Sequence, residues 1–141
     1  GLKIVVLGKI NVTLDGQPFD VTDKMSYRGV MFEGIPNAAM VFGYTNSSWT
    51  LKADLIADYF CRMIKFMDNK GYDSVVPVNN DPGMAKKSFL DLSSGYVSRV
   101  KNQLPLQGSK GAWKLHQNYF RDWFSLRLSR FSVKELKYDR K

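Results

Sequence analysis

Few side chains here could do chemistry, and their spacing argues against most of them. His116 is the only histidine, so no two-histidine metal site can form. It stands near Trp113 and Gln117 and could act as a base, although a packing or surface histidine is the ordinary case. Cys61, the only cysteine, could in principle pair with it, but Cys61 falls among Phe60 and Ile64 on an apolar helical pattern, which predicts a core position. Asp54 and Asp58 share a helix face with Arg62, and that spacing predicts a solvated ion pair rather than acid–base catalysis. Gly108-Ser109-Lys110-Gly111 could hold a phosphate, but it is only four residues of loop composition. Neither GxGxxG nor GxxxxGK[ST] occurs, so the dinucleotide fingerprint and the P-loop are both missing. The chain holds no complete catalytic set.

The stretch "GYTNSSWTLKAD" (43–54) is different. It follows the apolar run Ala38 to Phe42 and opens a helix. A strand that meets a helix N-terminus through small polar residues is where α/β sheets place polar or anionic ligands. The first-turn N–H groups lack helical partners and carry the positive end of the helix dipole, about half an elementary charge. They would stabilise a carbonyl or enolate oxygen set before them. Asn46 and Ser48 could equally well only cap the helix, and the residues alone leave both readings open.

The elements that would position this turn can be read from periodicity. Residues 3–8 ("KIVVLG") form a continuous β-branched run, expected as a buried strand. Residues 10–21 alternate about Asp15-Gly16, which predicts a hairpin within 3–21, with Pro18 on an edge strand. A turn at 34–37 precedes a strand over 39–45. Leu55, Ile56, Tyr59, Phe60, Met63, Ile64 and Met67 then mark the apolar face of a helix over 48–69, stopped by Gly71. After it the sequence predicts a short strand at 72–78, a loop at 79–87 and a short helix at 93–105. A basic loop at 106–112 and a second helix within 113–131 follow.

The chain has 141 residues, 44% of them hydrophobic, enough for a core. The lone cysteine excludes an internal disulfide and fits a reducing compartment, so a cytoplasmic location is expected. No apolar run approaches the roughly 20 residues that span a bilayer. The opening residues have too short an apolar stretch, and no small-residue cleavage site, for a signal peptide. The chain begins without Met on a strand-like run, as expected of a piece of something longer. Its net charge is +8, and residues 108–141 hold nine lysines and arginines against three acids. Such a tail suits a solvated face, peripheral contact with an anionic membrane, or a stand-alone module that binds nucleic acid or membrane.

Residues 27–64, "YRGVMFEGIPNAAMVFGYTNSSWTLKADLIADYFCRMI", resemble the C-terminal part of FAD-dependent monooxygenases of the flavin-containing and Baeyer–Villiger type, nearest the ethionamide-activating branch. The similarity extends through "LDGQPFDVT" (14–22), "GYVSR" (95–99), "LPLQGSKGAWKLHQNY" (104–119) and "RD" (121–122). The resemblance implies an α+β fragment. Its hairpin and strand–turn–helix unit would complete the Rossmann-like FAD-binding domain of a flavoprotein with two dinucleotide domains. Residues 1–105 would belong to that domain, and 106–141 would form a basic, aromatic, helical C-terminal extension.

The resemblance further implies FAD and NADPH as cofactors of the parent enzyme. It would oxygenate ketones or sulfur compounds through a C4a-peroxyflavin, with the flavin carrying that chemistry. The N–H groups around Ser48, Trp49, Thr50 and Leu51 would face the flavin's pyrimidine edge, with Asn46 shaping the turn. No catalytic residue is assigned to this chain. Alone it is expected to be inactive, to retain no flavin, to bind no nucleic acid, and to self-associate through unpaired strand edges and the apolar face of helix 48–69. Its expected partners are the rest of the FAD domain and, in the parent, a small-molecule substrate.

Overall fold

In the computed structural model, residues 6–90 and 103–140 are described. Asp15 and Gly16 both take positive φ, 51° and 77°, and turn the chain back on itself. This two-residue turn joins β1 (Thr13–Leu14) to β2 (Gln17–Pro18), with Thr13 opposite Pro18. The expected strand over 3–8 does not extend into the described residues. Val6–Lys9 winds as a tight 3-10 turn, because Leu7 and Gly8 occupy the left-handed region and Ile10 N–H bonds back to Leu7 O. Residues 1–5 lie outside the described part.

A second hairpin joins β3 (Ser26–Tyr27) to β4 (Met31–Phe32). Its turn uses Arg28 and Gly29, again both at positive φ. The expected strand over 39–45 is corrected. That stretch makes one antiparallel bridge, Met31 to Ala39, and one bond from Met40 N–H to Val30 O, with no ladder beyond. Its apolar side chains are drawn into packing instead: Met40 and Phe42 lie against a small core of Phe89, Leu90 and Leu104.

Helix α1 (Trp49–Lys70) matches the periodic pattern, and Gly71 ends it in the left-handed conformation. Leu55, Ile56, Tyr59, Met63 and Met67 are buried along one stripe, while Ile64 remains 44% exposed. Cys61 is exposed, against the core position expected of it. Two residues beyond Tyr59 it sits about 200° round the helix, on the face away from the core.

Beyond α1, β5 (Ser74–Pro77) pairs with β8 (Leu136–Asp139), and β6 (Lys86–Ser88) pairs with β7 (Leu106–Gly108), both antiparallel. The stretch 106–112, expected as a loop, supplies β7 and enters a 3-10 turn at Gly111–Trp113. Most of the helix expected at 93–105 lies outside the described residues. The second helix, α2 (Tyr119–Arg127), is shorter than the 113–131 pattern suggested. Trp113 is withdrawn from it into the core, edge-on to Tyr27 at 5.4 Å.

The result is a small α+β body whose described sheets are all two-stranded. Its main core gathers Tyr27, Met31, Tyr59, Met63, Trp113 and Leu126 from both halves of the chain. The apolar face of α1, expected to be left bare, is covered by this core and by Phe131, 5.2 Å from the Tyr59 ring. Bare apolar surface is found instead on α2 and just past its end, where Phe120, Phe124 and Leu128 are each more than half exposed. No helix among the described residues is long and apolar enough to cross a membrane.

Candidate functional site

Thr45 to Leu51, the turn and first residues of α1, are all exposed. Ser48 stands at the N-cap with extended backbone, but its side chain caps nothing; its Oγ lies 2.7 Å from Thr50 Oγ1. Asn46 does not cap either. Its Nδ2 donates to Gln117 O at 3.2 Å, while Thr45 N–H donates to Gln117 Oε1, also at 3.2 Å. The capping reading of Asn46 and Ser48 is therefore set aside. The first turn carries no acidic residue. Trp49 is half exposed and leans on Phe42 at 5.3 Å. The N–H groups of Trp49, Thr50 and Leu51, which no helix can satisfy internally, find no partner among the described residues.

Beneath the turn lies a buried polar cluster. Lys52, in the first turns of α1, donates to Asp122 Oδ2 of α2 at 2.7 Å. Both side chains are only 8% exposed. Tyr44 donates to the same oxygen at 2.8 Å, and its ring faces the Lys52 ammonium at 5.4 Å. Burial, then the Asp122 carboxylate, hold the Tyr44 hydroxyl far above its ordinary pKa, so it stays a donor. The cluster ties the segment that leads into α1, α1 itself and α2 together just inside the open N-terminus. Gly43 is needed at the same corner, since a Cβ there would overlap the Trp49 indole and come within 2.8 Å of its Cα.

Two cavities flank this region. A cleft of about 490 Å3 takes in Thr45, Asn46, Gln107, Ser109 and Gln117, but not Ser48, Trp49, Thr50 or Leu51. Another, about 510 Å3, is lined by Arg28, Lys114, His116, Arg121 and Asp122. Burial, followed by Arg121, lowers the His116 pKa from its ordinary value. Cys61 does not line the cavity that holds His116, so the two are not assembled into a pair. Asp58 and Arg62 form the expected i,i+4 ion pair at 2.9 Å, and Arg127 adds a second cation. The charge of the Gly108–Gly111 loop is spent on Asp81, 2.7 Å from Lys110. Among the described residues no group of three or more His, Cys, Asp or Glu could hold a metal.

Sequence reasoning missed Tyr44, Lys52 and Asp122. They are 78 and 70 residues apart from one another across the Asp122 contacts, so no local pattern joins them. The one available signal was a lysine in the first turns of α1, one residue before Ala53 and three before Leu55, at the edge of the apolar stripe.

Comparison with known proteins bears on the open turn. No family model and no solved structure matches the chain. Curated relatives do. "Probable FAD-binding monooxygenase AlmA" of Acinetobacter baylyi is 44% identical over the whole chain. FAD-containing monooxygenase EthA is 41% identical over 98% of the chain in Mycobacterium tuberculosis and 43% identical over 93% in Mycolicibacterium smegmatis. The chain spans only 28% of the length of the first two and 26% of the third. Identity of this level, sustained from one end of the sequence to the other under names that agree, shows that the chain belongs to the FAD-containing monooxygenases.

Proposed function

We propose that this chain serves as one part of an NADPH-dependent flavin monooxygenase and presents the N-terminus of α1 to the pyrimidine edge of FAD. The observation that carries this is the exposed, acid-free and uncapped first turn of a 22-residue helix. Its open N–H groups fit a group that becomes negative when reduced. The relatives' names supply the flavin, and their greater length leaves room for the glycine motifs that this sequence lacks. In this reading the chain completes the Rossmann-like FAD domain. Thr50 and Leu51 N–H hold the flavin's carbonyl edge, and the Lys52–Asp122–Tyr44 cluster keeps them in place. The flavin, when bound and reduced by NADPH, supplies the activation of O2 for oxygen transfer to a ketone or a sulfur compound.

The test is Thr50→Asp in the full-length monooxygenase that carries this sequence. An acid in the first turn favours the helix by about 0.3–1 kcal/mol, so a purely structural turn keeps or raises its stability. If the turn faces FAD, the new charge opposes reduced flavin, and both FAD occupancy and reduction potential fall. Unchanged occupancy and potential would overturn the assignment.

A further inference from the structure

We propose that the cavity lined by Arg28, Lys114, His116 and Arg121 binds a phosphate dianion, free or carried as the monoester of a small molecule. The cavity holds about 510 Å3, within the size range of small-molecule sites. It is walled by the β3–β4 turn, the 3-10 turn at Gly111–Trp113 and α2, so its cations come from three separate parts of the chain.

Charge decides what it would hold. The one carboxylate in its lining, Asp122, is already committed to Lys52 and Tyr44. Some basic residues elsewhere find acids, as Arg62 and Arg127 share Asp58 and Lys110 has Asp81, while among the described residues Lys65, Lys134 and Lys137 have none within ion-pair distance. Among the described residues, Arg28, Lys114 and Arg121 have no carboxylate within ion-pair distance, and all three line this one cavity.

Arg28 is the fixed member. Its backbone is held in the left-handed region at φ 53°, a conformation that costs a non-glycine residue free energy and persists only where its surroundings enforce it. They do: Arg28 N–H donates to Ala112 O at 2.7 Å, and Nη1 donates to Ser125 O and Oγ at 2.9 and 2.7 Å. Nη2 is left without a partner among the described residues. Nε donates to the Tyr27 hydroxyl at 3.3 Å, so one nitrogen of the planar guanidinium stays free, and beside an exposed lysine and an exposed arginine it suits one oxygen of a phosphate.

His116 supplies the readout. Its low pKa reflects burial together with Arg121, Lys114 and Lys52, an excess of positive charge that Asp122 only partly offsets. A bound dianion reverses that field. Because the chain has one histidine, its imidazole proton signals need no assignment.

The experiment follows the His116 resonance by NMR against pH, in inorganic phosphate, in glycerol phosphate, and in chloride at matched ionic strength. Expected are saturable binding and a rise in the His116 pKa with phosphate that chloride does not reproduce. Losing one charged hydrogen-bond partner weakens binding by about tenfold or more, so Lys114→Gln and Arg121→Gln should each raise Kd by at least that factor. Both positions are exposed, so the fold is not at stake. Equal Kd values for the two ligands identify free phosphate as sufficient; tighter glycerol phosphate identifies a monoester. A His116 shift that tracks ionic strength alone, or variants that bind like the parent chain, would refute the site. FAD takes no part in the measurement, so either outcome leaves the flavin assignment standing or falling on its own test.

Discussion

Replacing Asp122 by Asn tests whether the buried cluster organises the turn. The amide keeps the size of the carboxylate and can still accept from the Tyr44 hydroxyl, so that 2.8 Å bond is retained. What is lost is the charge opposite Lys52, whose side chain is 8% exposed and whose ammonium is left unpaired. Removing one partner of a buried ion pair costs about 3–5 kcal/mol. Asp122 also lines an open cavity, and water entering there would bring the loss to the lower end of that range, about 3 kcal/mol. For a domain of this size that lowers the melting temperature by roughly 6–12 °C. Urea unfolding followed by circular dichroism gives the value. The matched control is the triple variant Lys52→Met, Asp122→Leu and Tyr44→Phe, which removes both charges and the hydroxyl that Asp122 accepts from; it should recover most of the loss. A loss below about 1 kcal/mol for Asp122→Asn, on the scale of exposed pairs, would refute the claim that the pair is buried and organising. So would a triple variant no more stable than Asp122→Asn.

Two further outcomes follow from the same region. Gly43→Ala places a methyl into the Trp49 indole and within 2.8 Å of its Cα, so the backbone at the start of α1 must shift as well as the ring. Overpacking of this kind costs about 1–3 kcal/mol, and Trp49, half exposed, should shift its fluorescence relative to the parent chain; an unchanged spectrum and stability would show the corner to be slack. His116 has a pKa lowered in the folded state, so the unfolded chain takes up its proton first as pH falls. Its effect is absent above the unfolded value near 6.5, grows as pH drops, and is complete below the folded pKa. Stability measured between pH 7.5 and 5 should therefore fall more steeply in the parent chain than in His116→Gln.

What the sequence made legible was local. The 3.6-residue period of α1 is carried by seven apolar side chains in a row of turns, and only its weakest members, Phe60 and Ile64, stray from the buried stripe. Asp15-Gly16 states its own turn, because few other pairs accept positive φ twice. Residues 39–45 misled for a physical reason. An apolar run reports burial, and burial by side-chain packing against Phe89 and Leu104 looks the same in sequence as burial in a sheet. The pairing of β5 with β8 joins segments about 60 residues apart, and nothing near Leu136 announces its partner. Cys61 failed on register alone: two residues beyond Tyr59, it falls on the face of α1 away from the core. At the candidate site, the open turn was visible as a composition change at 43–51, whereas Lys52, Asp122 and Tyr44 become neighbours only through the tertiary fold.

Helix α1 is about 33 Å long at 1.5 Å per residue, and it is fastened at both ends. Near its start, Lys52 is anchored to Asp122; at its finish, Tyr72 N–H bonds to Met67 O and Arg140 reaches back to Lys70 O at 3.0 Å. Between those fastenings it behaves as a stiff rod. It is also held along its length, where Arg62 donates to Leu126 O at 2.6 Å and Tyr59 and Met63 are buried in the core. The open turn thus stands on a helix tied to Asp122 and Leu126 in its first half and to Arg140 at its end, so its placement draws on contacts from three separate stretches of the helix.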